Sequence, residues 1–323
     1  MNALAPFLPI AHMLAHPFLR YAFLAGTAIA AASGLAGYFV VLRAQVFTGD
    51  ALSHVAFTGA LGALVAGISL LFGLYAACVA VALAMAALGT RGRADDTVTG
   101  SVFAWILGLG ALLLTVYTTS ASGVNGTSGV NVLFGTIFGL SAAQATIDAL
   151  VCLGVAVAVV VIARPLLFAS IDGAVARARG VPVTFLGFAF FGLFGVTAAA
   201  ASQAVGALLL LGLIAGPAGA AQRLTARPYL AMWTSAGIAV SSVWAGLALA
   251  YAFPAVPPSF GILAVSTGGY LLIFVTTAGR RRPWQPAASR RGSPPTDATR
   301  PHLAAPLAVP APRVDGSHTA PDG

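Results

Sequence analysis

The chain is governed by a succession of apolar runs, most of about the twenty residues that an α-helix needs to cross the ~30 Å hydrocarbon layer of a bilayer. They occupy Phe18–Leu42, His54–Gly73, Leu74–Gly89, Val98–Thr119, Ile147–Ala163, Tyr229–Phe253 and Phe260–Ala278. A further run, Val183 to Gln222, is forty residues long. At ~1.5 Å per residue it measures about 60 Å, too long for one upright pass. It is either one tilted helix with an extension at the membrane edge, or two passes broken near Ser202–Gly206. Backbone in hydrocarbon must satisfy its own hydrogen bonds, so runs of this length are read as helices. The expected fold is all-α, a polytopic transmembrane bundle of about eight spans, or nine if the long run breaks. An interfacial segment (1–17) precedes the membrane domain (18–279). A Pro-, Arg- and Ala-rich tail follows (280–323), with too little apolar surface to order itself.

Composition agrees and excludes several functions. Of the 323 residues 59% are apolar and 7% charged, against about 25% charged in a soluble domain. All sixteen basic residues are Arg and all eight acids are Asp. Without Lys there is no G-x-x-x-x-G-K-[ST] nucleotide loop, and without Glu no H-E-x-x-H metalloprotease helix. The net charge of +8 does not indicate nucleic acid, because the arginines sit at the ends of apolar runs and in the tail, where they act as topology signals. Met1–His16 has no basic n-region and is read as retained rather than cleaved. Cys78 and Cys152 lie in separate apolar runs and form no C-x-x-C, so both are read as lipid- or core-facing.

Charges within spans are costly and usually functional. Arg20, Arg43, Arg91, Arg93, Arg164, Arg223 and Arg227 avoid the cost at span ends, where Arg snorkels to the interface. His12 and His16 belong to the interfacial segment, and Asp148 suits a helix N-terminus. If Val183–Gln222 makes one pass, the Arg-bearing loops at 43, 91–93 and 164–179 lie opposite the loop at 223–227. If it makes two, all fall on one side with a cytoplasmic C-terminus. Asp50 and His54 differ from the rest. Spaced i,i+4 on one helix face, they can hold one ion together, and carboxylate plus imidazole suits first-row divalent metals. Asp50 as an N-cap of the second helix, with His54 a polar neighbour, is the other reading.

Four stretches resemble the permease subunits of zinc/manganese/iron-type ABC importers. GYFVVLRAQVFTGDALSHVAFTGALGA carries a G-D-x-L-x-H core. RADDTVTGSVFAWILGLGALLL is similar to the family's acidic-T-x-x-G entry into the fourth span, and IDGAVARARGVPV to its D-x-x-x-A-x-x-x-G segment. VGALLLLGLIAGPAGAAQRL resembles its V-G-x-L-L run ending in P-A-x-x-A. Together they cover roughly 18–278. Two departures stand out: the family's LFGD reads LFGT at Leu133–Thr136, and the basic residue after Pro217 falls one place late, at Arg223.

The resemblance implies a type II ABC importer-like permease in the cytoplasmic (inner) membrane of a bacterium, a transport subunit and not an enzyme. It implies three partners: a cytoplasmic ABC ATPase, an extracytoplasmic metal-binding protein or lipoprotein, and a second permease copy, identical or paralogous. No cofactor is held permanently; the divalent ion (Zn, Mn or Fe) is cargo. Asp50 and His54 become the metal-transit pair, and Pro217, Arg223 and Arg227 the ATPase-coupling segment, with the chain turning at Pro217, which cannot continue a regular helix. A secondary transporter driven by an ion gradient, with Asp50 as proton carrier, is the rival reading. Such carriers often show inverted repeats, and the two halves of this chain share no visible similarity. An intramembrane enzyme finds no support in a G-x-S-x-G or an intramembrane Asp pair.

Overall fold

The protein is described by a computed structural model covering residues 17–89, 96–120, 135, 137–207 and 210–278. The expected interfacial segment, Pro17 apart, and the expected tail lie outside these residues. The described chain is helical, with no strand among its residues: α1 (Pro17–Leu42), α2 (Val46–Ala66), α3 (Leu70–Leu88), α4 (Asp96–Ser120), a 3-10 turn (Ile137–Gly139), α5 (Ala142–Ile171), α6 (Gly173–Ala178), α7 (Val183–Val205), α8 (Leu210–Leu224), α9 (Pro228–Ala252) and α10 (Pro258–Ala278). Eight of these helices are long and apolar enough to cross a membrane.

Helix ends follow local chemistry. α2 closes at Gly67, whose φ of 70° is the left-handed cap that glycine adopts freely. Ser69 then accepts from the Phe72 N–H to open α3. These two signals place the α2–α3 boundary at 67–69, well before the Gly73 suggested by counting apolar residues. α2 accordingly starts at Val46, with Gln45 in the N-cap position. Asp50 lies inside the helix, so the N-cap reading of Asp50 fails. At α5, Ser141 and Gln144 form a reciprocal capping box, and Asp148 is likewise interior.

The forty-residue run breaks into α7 and α8, at Gly206 with φ of 100°. The second piece reverses. Gly212, Gly216 and Gly219 of α8 step along α10 past Leu263, Ser266 and Tyr270 in the same chain direction. α9 runs antiparallel to α1, with Gly26 against Val243 and Leu247, and Gly34 against Ser235 and Ala236. At the end of α8 the Gln222 amide donates to the Tyr38 carbonyl near the end of α1, at 3.3 Å. The first half of α7 meets this same end of α1, Phe190 against Phe39 with ring centroids 6.0 Å apart. α7 leaves that end of the bundle and α8 returns to it. α8 has only 15 residues, about 22 Å of helix, so it is a short return segment beside the eight full-length helices.

The reversal gathers charge on one face. Arg43, Arg164, Arg177, Arg179, Arg223 and Arg227 all lie toward the end of the bundle where α1, α5 and α8 finish, and only Arg20 of the described arginines lies toward the other. By the positive-inside rule the Arg-rich face is cytoplasmic. The largest fully buried side chains include Phe39 of α1 and Phe190, Phe191 and Phe194 of α7. Phe190 and Phe194 stack with an interplanar angle of 2°.

Candidate metal-transit site and coupling surface

Asp50 and His54 lie one turn apart within α2 and are both half-buried. The neighbour is α4. Phe103 packs edge-on against the His54 ring at 5.2 Å and against Phe47 at 5.6 Å. Thr58 donates to the Ile106 carbonyl at 3.2 Å, and the Thr48 and Thr99 hydroxyls lie 3.4 Å apart. One side of the pair is therefore set by an aromatic wall and flanking polar ties, and the backbone beneath is fixed by a regular helix. The Ser53 hydroxyl donates to the Asp50 carbonyl, which leaves the Asp50 carboxylate out of that bond. Among the described residues no group of three or more His, Cys, Asp or Glu side chains could hold a metal ion. One chain thus offers one oxygen and one nitrogen donor class from Asp50 and His54, too few for a closed site.

Val46, one turn before Asp50, lines a groove of about 530 Å³ with Gly212, Gly216 and Gly219 of α8 and Leu263 of α10. The α2 face that bears the pair thereby adjoins the reversing helix.

The turn that leads into this helix is pinned by Arg43, which sequence position alone assigned to snorkelling. Its Nε donates to the Ser170 hydroxyl at 2.8 Å, and its guanidinium lies 5.0 Å from the Phe190 ring centroid. The side chain is buried. Ala44, at φ 56°, completes the tight α1–α2 connection. Tyr75 and Asp148 form a second polar pair that was not foreseen: the phenol donates to the carboxylate at 2.9 Å. No local signal marks either pairing, since the partners lie 127 and 73 residues apart.

The segment assigned to coupling is partly rearranged. Pro217 sits buried inside α8 and does not turn the chain. The helix runs through it with Gly216 and Gly219 close by, and on the preceding turn the Gly212 carbonyl accepts from Ser266 of α10 at 2.7 Å. The chain turns instead at Thr225–Arg227. Arg223, half-buried, places its guanidinium 4.2 Å from the Phe274 centroid and 5.8 Å from that of Tyr270. Arg227 is exposed and precedes Pro228, the first residue of α9. The two arginines therefore differ: one ties α8 to α10, the other is free to meet a partner.

Comparison with known proteins places these features in context. The model of a family described as the ABC 3 transport family matches residues 15–277. The chain is 28% identical to the manganese transport system membrane protein MntC of Halalkalibacterium halodurans, covering 79% of this chain and 86% of that protein. It is also 28% identical to the chelated iron transport system membrane protein YfeD of Yersinia pestis, covering 64% and 68% respectively. In fold it is similar to PsaBC from Streptococcus pneumoniae, solved in complex with Fab. There the TM-score is 0.68 at 24% identity, over 82% of this chain and 94% of the other.

Proposed function

The chain belongs to the ABC 3 transport family, and from that premise we propose that it carries a divalent transition metal, manganese or iron before zinc, through the cell membrane as the permease subunit of an ATP-driven importer. The observation that carries the reading is the Asp50–His54 pair: an acid and an imidazole one turn apart, half-buried in the interior of a spanning helix. A carboxylate and an imidazole in such a span are expensive unless they are used. Together they replace part of the hydration shell of a borderline ion without the thiolates that would hold it too tightly for release. The names of the relatives favour manganese and iron.

Two ligands do not hold an ion against water, so a second permease copy supplies two more. Two-fold symmetry brings like surfaces together about an axis, and a pair that is walled by α4 on one side and only half-buried is suited to face such an axis. An extracytoplasmic binding protein delivers the ion. The four side chains hold it briefly, and ATP-driven rearrangement on the cytoplasmic face opens the other side. The ATPase is a separate chain that engages the turn after α8, with exposed Arg227 as the contact and Arg223 holding α8 against α10.

The test is uptake by the complex reconstituted in proteoliposomes with its ATPase and binding protein, compared across manganese, iron and zinc. ATP-dependent accumulation of one of these ions is expected. Accumulation that follows an imposed proton or sodium gradient and ignores ATP would replace this reading with a gradient-driven carrier.

A further inference from the structure

We propose that the groove between the outer halves of α1 and α5 binds one anionic glycerophospholipid of the outer leaflet, with acyl chain in the groove and phosphate on Arg20. The proposal goes beyond the transport reading. It rests on the membrane setting and on the cytoplasmic placement of the Arg-rich face, not on which ion is carried.

α1 and α5 begin at the end of the bundle opposite the Arg-rich face, and the groove they form there has a volume of about 600 Å³. Thr27, Ala28, Ala31 and Ala149 are half-buried and make its floor, and exposed Leu24, Leu150 and Leu153 its walls. Small side chains on the floor between larger ones at the rim leave the space open. The groove follows α1 from 24 to 31 and α5 from 146 to 153, about 10 Å along the helices. That is most of a hydrocarbon leaflet about 15 Å deep.

The lining carries two hydroxyls, and both are already engaged. Thr27 Oγ1 donates to the Phe23 carbonyl at 2.6 Å and accepts from Trp244 Nε1 of α9 at 2.8 Å. Thr146 Oγ1 donates to the Ala142 and Ala143 carbonyls, each at 2.9 Å. A polar occupant would therefore lose its hydration without replacement, so the groove selects hydrocarbon.

Charge stands directly above it. Arg20 precedes Leu24 by one turn, on the same α1 stripe as Leu24, Thr27 and Ala31 of the groove. Helical side chains lean toward the N-terminus, so this exposed arginine reaches toward headgroup level. It alone of the described arginines lies toward the outer end, against the bias that gathers Arg on the cytoplasmic side. A guanidinium presents paired donors that match phosphate oxygens. Closed hydrocarbon lining below and a cation one turn above describe an anionic amphiphile. A second copy of the chain fits poorly. Two-fold symmetry brings like surfaces together and would set Arg20 against Arg20. It would also centre the pairing on α1 and α5, while the Asp50–His54 pair lies on α2 against Phe103 of α4.

The experiment is native mass spectrometry of the purified full-length chain, offered an equal mixture of dioleoyl phosphatidylglycerol and dioleoyl phosphatidylcholine. The variants are Arg20→Gln, which removes the charge, and Ala28→Phe and Ala149→Phe, which fill the groove from either helix. Unfolding temperature without added lipid is recorded for each. The unmodified chain should retain a single phosphatidylglycerol, about fivefold over phosphatidylcholine, the worth of one arginine at a charged membrane surface. Arg20→Gln should hold both lipids equally, and the Phe variants neither. Equal retention of the two lipids by the unmodified chain would overturn the proposal, as would an unchanged preference in Arg20→Gln. So would Phe variants that unfold normally and keep the lipid. If a Phe variant instead converts a dimer into a monomer, the groove is an interface between copies and the proposal falls. Should both Phe variants fail to fold, the exposed Arg20→Gln decides alone. Neither metal nor ATPase enters the assay, so its result stands apart from that of uptake.

Discussion

Tyr75 and Asp148 lie 73 residues apart in sequence and hydrogen-bonded in space, the phenol of α3 donating to the carboxylate of α5 at 2.9 Å. Asp148 is 2% exposed, and its second carboxylate oxygen has no protein partner. The bond is therefore the carboxylate's one hydrogen bond among the described residues, in an apolar setting. Tyr75→Phe removes that donor while keeping the ring, and strands a buried polar group at a cost of about 1–3 kcal/mol. Asp148→Leu combined with Tyr75→Phe removes both partners and should recover much of the loss. Thermal unfolding in detergent or nanodiscs checks this. A double variant no more stable than Tyr75→Phe alone would show that the pair is not an energetic unit.

Arg43 joins three elements through one planar group: the α1–α2 turn, Ser170 of α5 and the Phe190 ring of α7. Lys cannot reproduce both the Nε donation and the stacking. Arg43→Lys should destabilise the fold by about 1–2 kcal/mol, and Arg43→Met by more, since it leaves the Ser170 end without its donor. Equal unfolding temperatures for the wild type and Arg43→Met would assign Arg43 to the lipid interface after all.

The α2–α3 contact depends on a glycine in each helix, Gly59 and Gly73. A Cβ at Gly59 would meet the Gly73 carbonyl at 2.7 Å and collide with the Ala77 methyl, the close approach that small residues permit between membrane helices. Gly59→Val should cost at least the ~1–3 kcal/mol typical of overpacking. Gly154→Ala in α5, where no atom lies within 4 Å, should be neutral or stabilising, since Ala is the better helix former by up to ~1 kcal/mol. Expression yield and unfolding temperature separate the two, and equal behaviour would contradict the packing.

The legibility of this chain divides along physical lines. Apolar length, a local property, located all the full-length helices, because hydrocarbon admits no other backbone solution. It misplaced the start of α2 by eight residues, since Asp50 and its polar neighbours lowered the local hydropathy inside a real span, and the apolar run was counted only from His54. The Gly67–Ser69 cap pair would have corrected the boundary. Pro217 misled for a related reason: the helix runs straight through it in a segment packed against α10, and a single sequence does not reveal neighbours. The Asp50–His54 spacing was visible at once. The buried ties of Arg43 to Ser170 and of Tyr75 to Asp148 were not, because they join residues that only the packed bundle brings together.

The two coupling arginines should separate experimentally. Arg223 lies over Phe274 and Tyr270, so Arg223→Glu places an acid on two ring faces and should lower both unfolding temperature and ATPase retention. Arg227 is exposed, so Arg227→Glu should lower ATPase retention alone. A fall in unfolding temperature for Arg227→Glu, or unchanged retention for both, would contradict the division of roles.

The central claim is that Asp50 and His54 carry the metal, and ATP-dependent manganese uptake by Asp50→Asn and His54→Ala tests it most directly. Both side chains are half-buried and neither caps a helix, so each variant should insert, assemble and bind the ATPase like the unmodified chain. Uptake should fall to the level of liposomes without protein in each. Uptake at the unmodified rate in both variants, with assembly intact, would contradict the account.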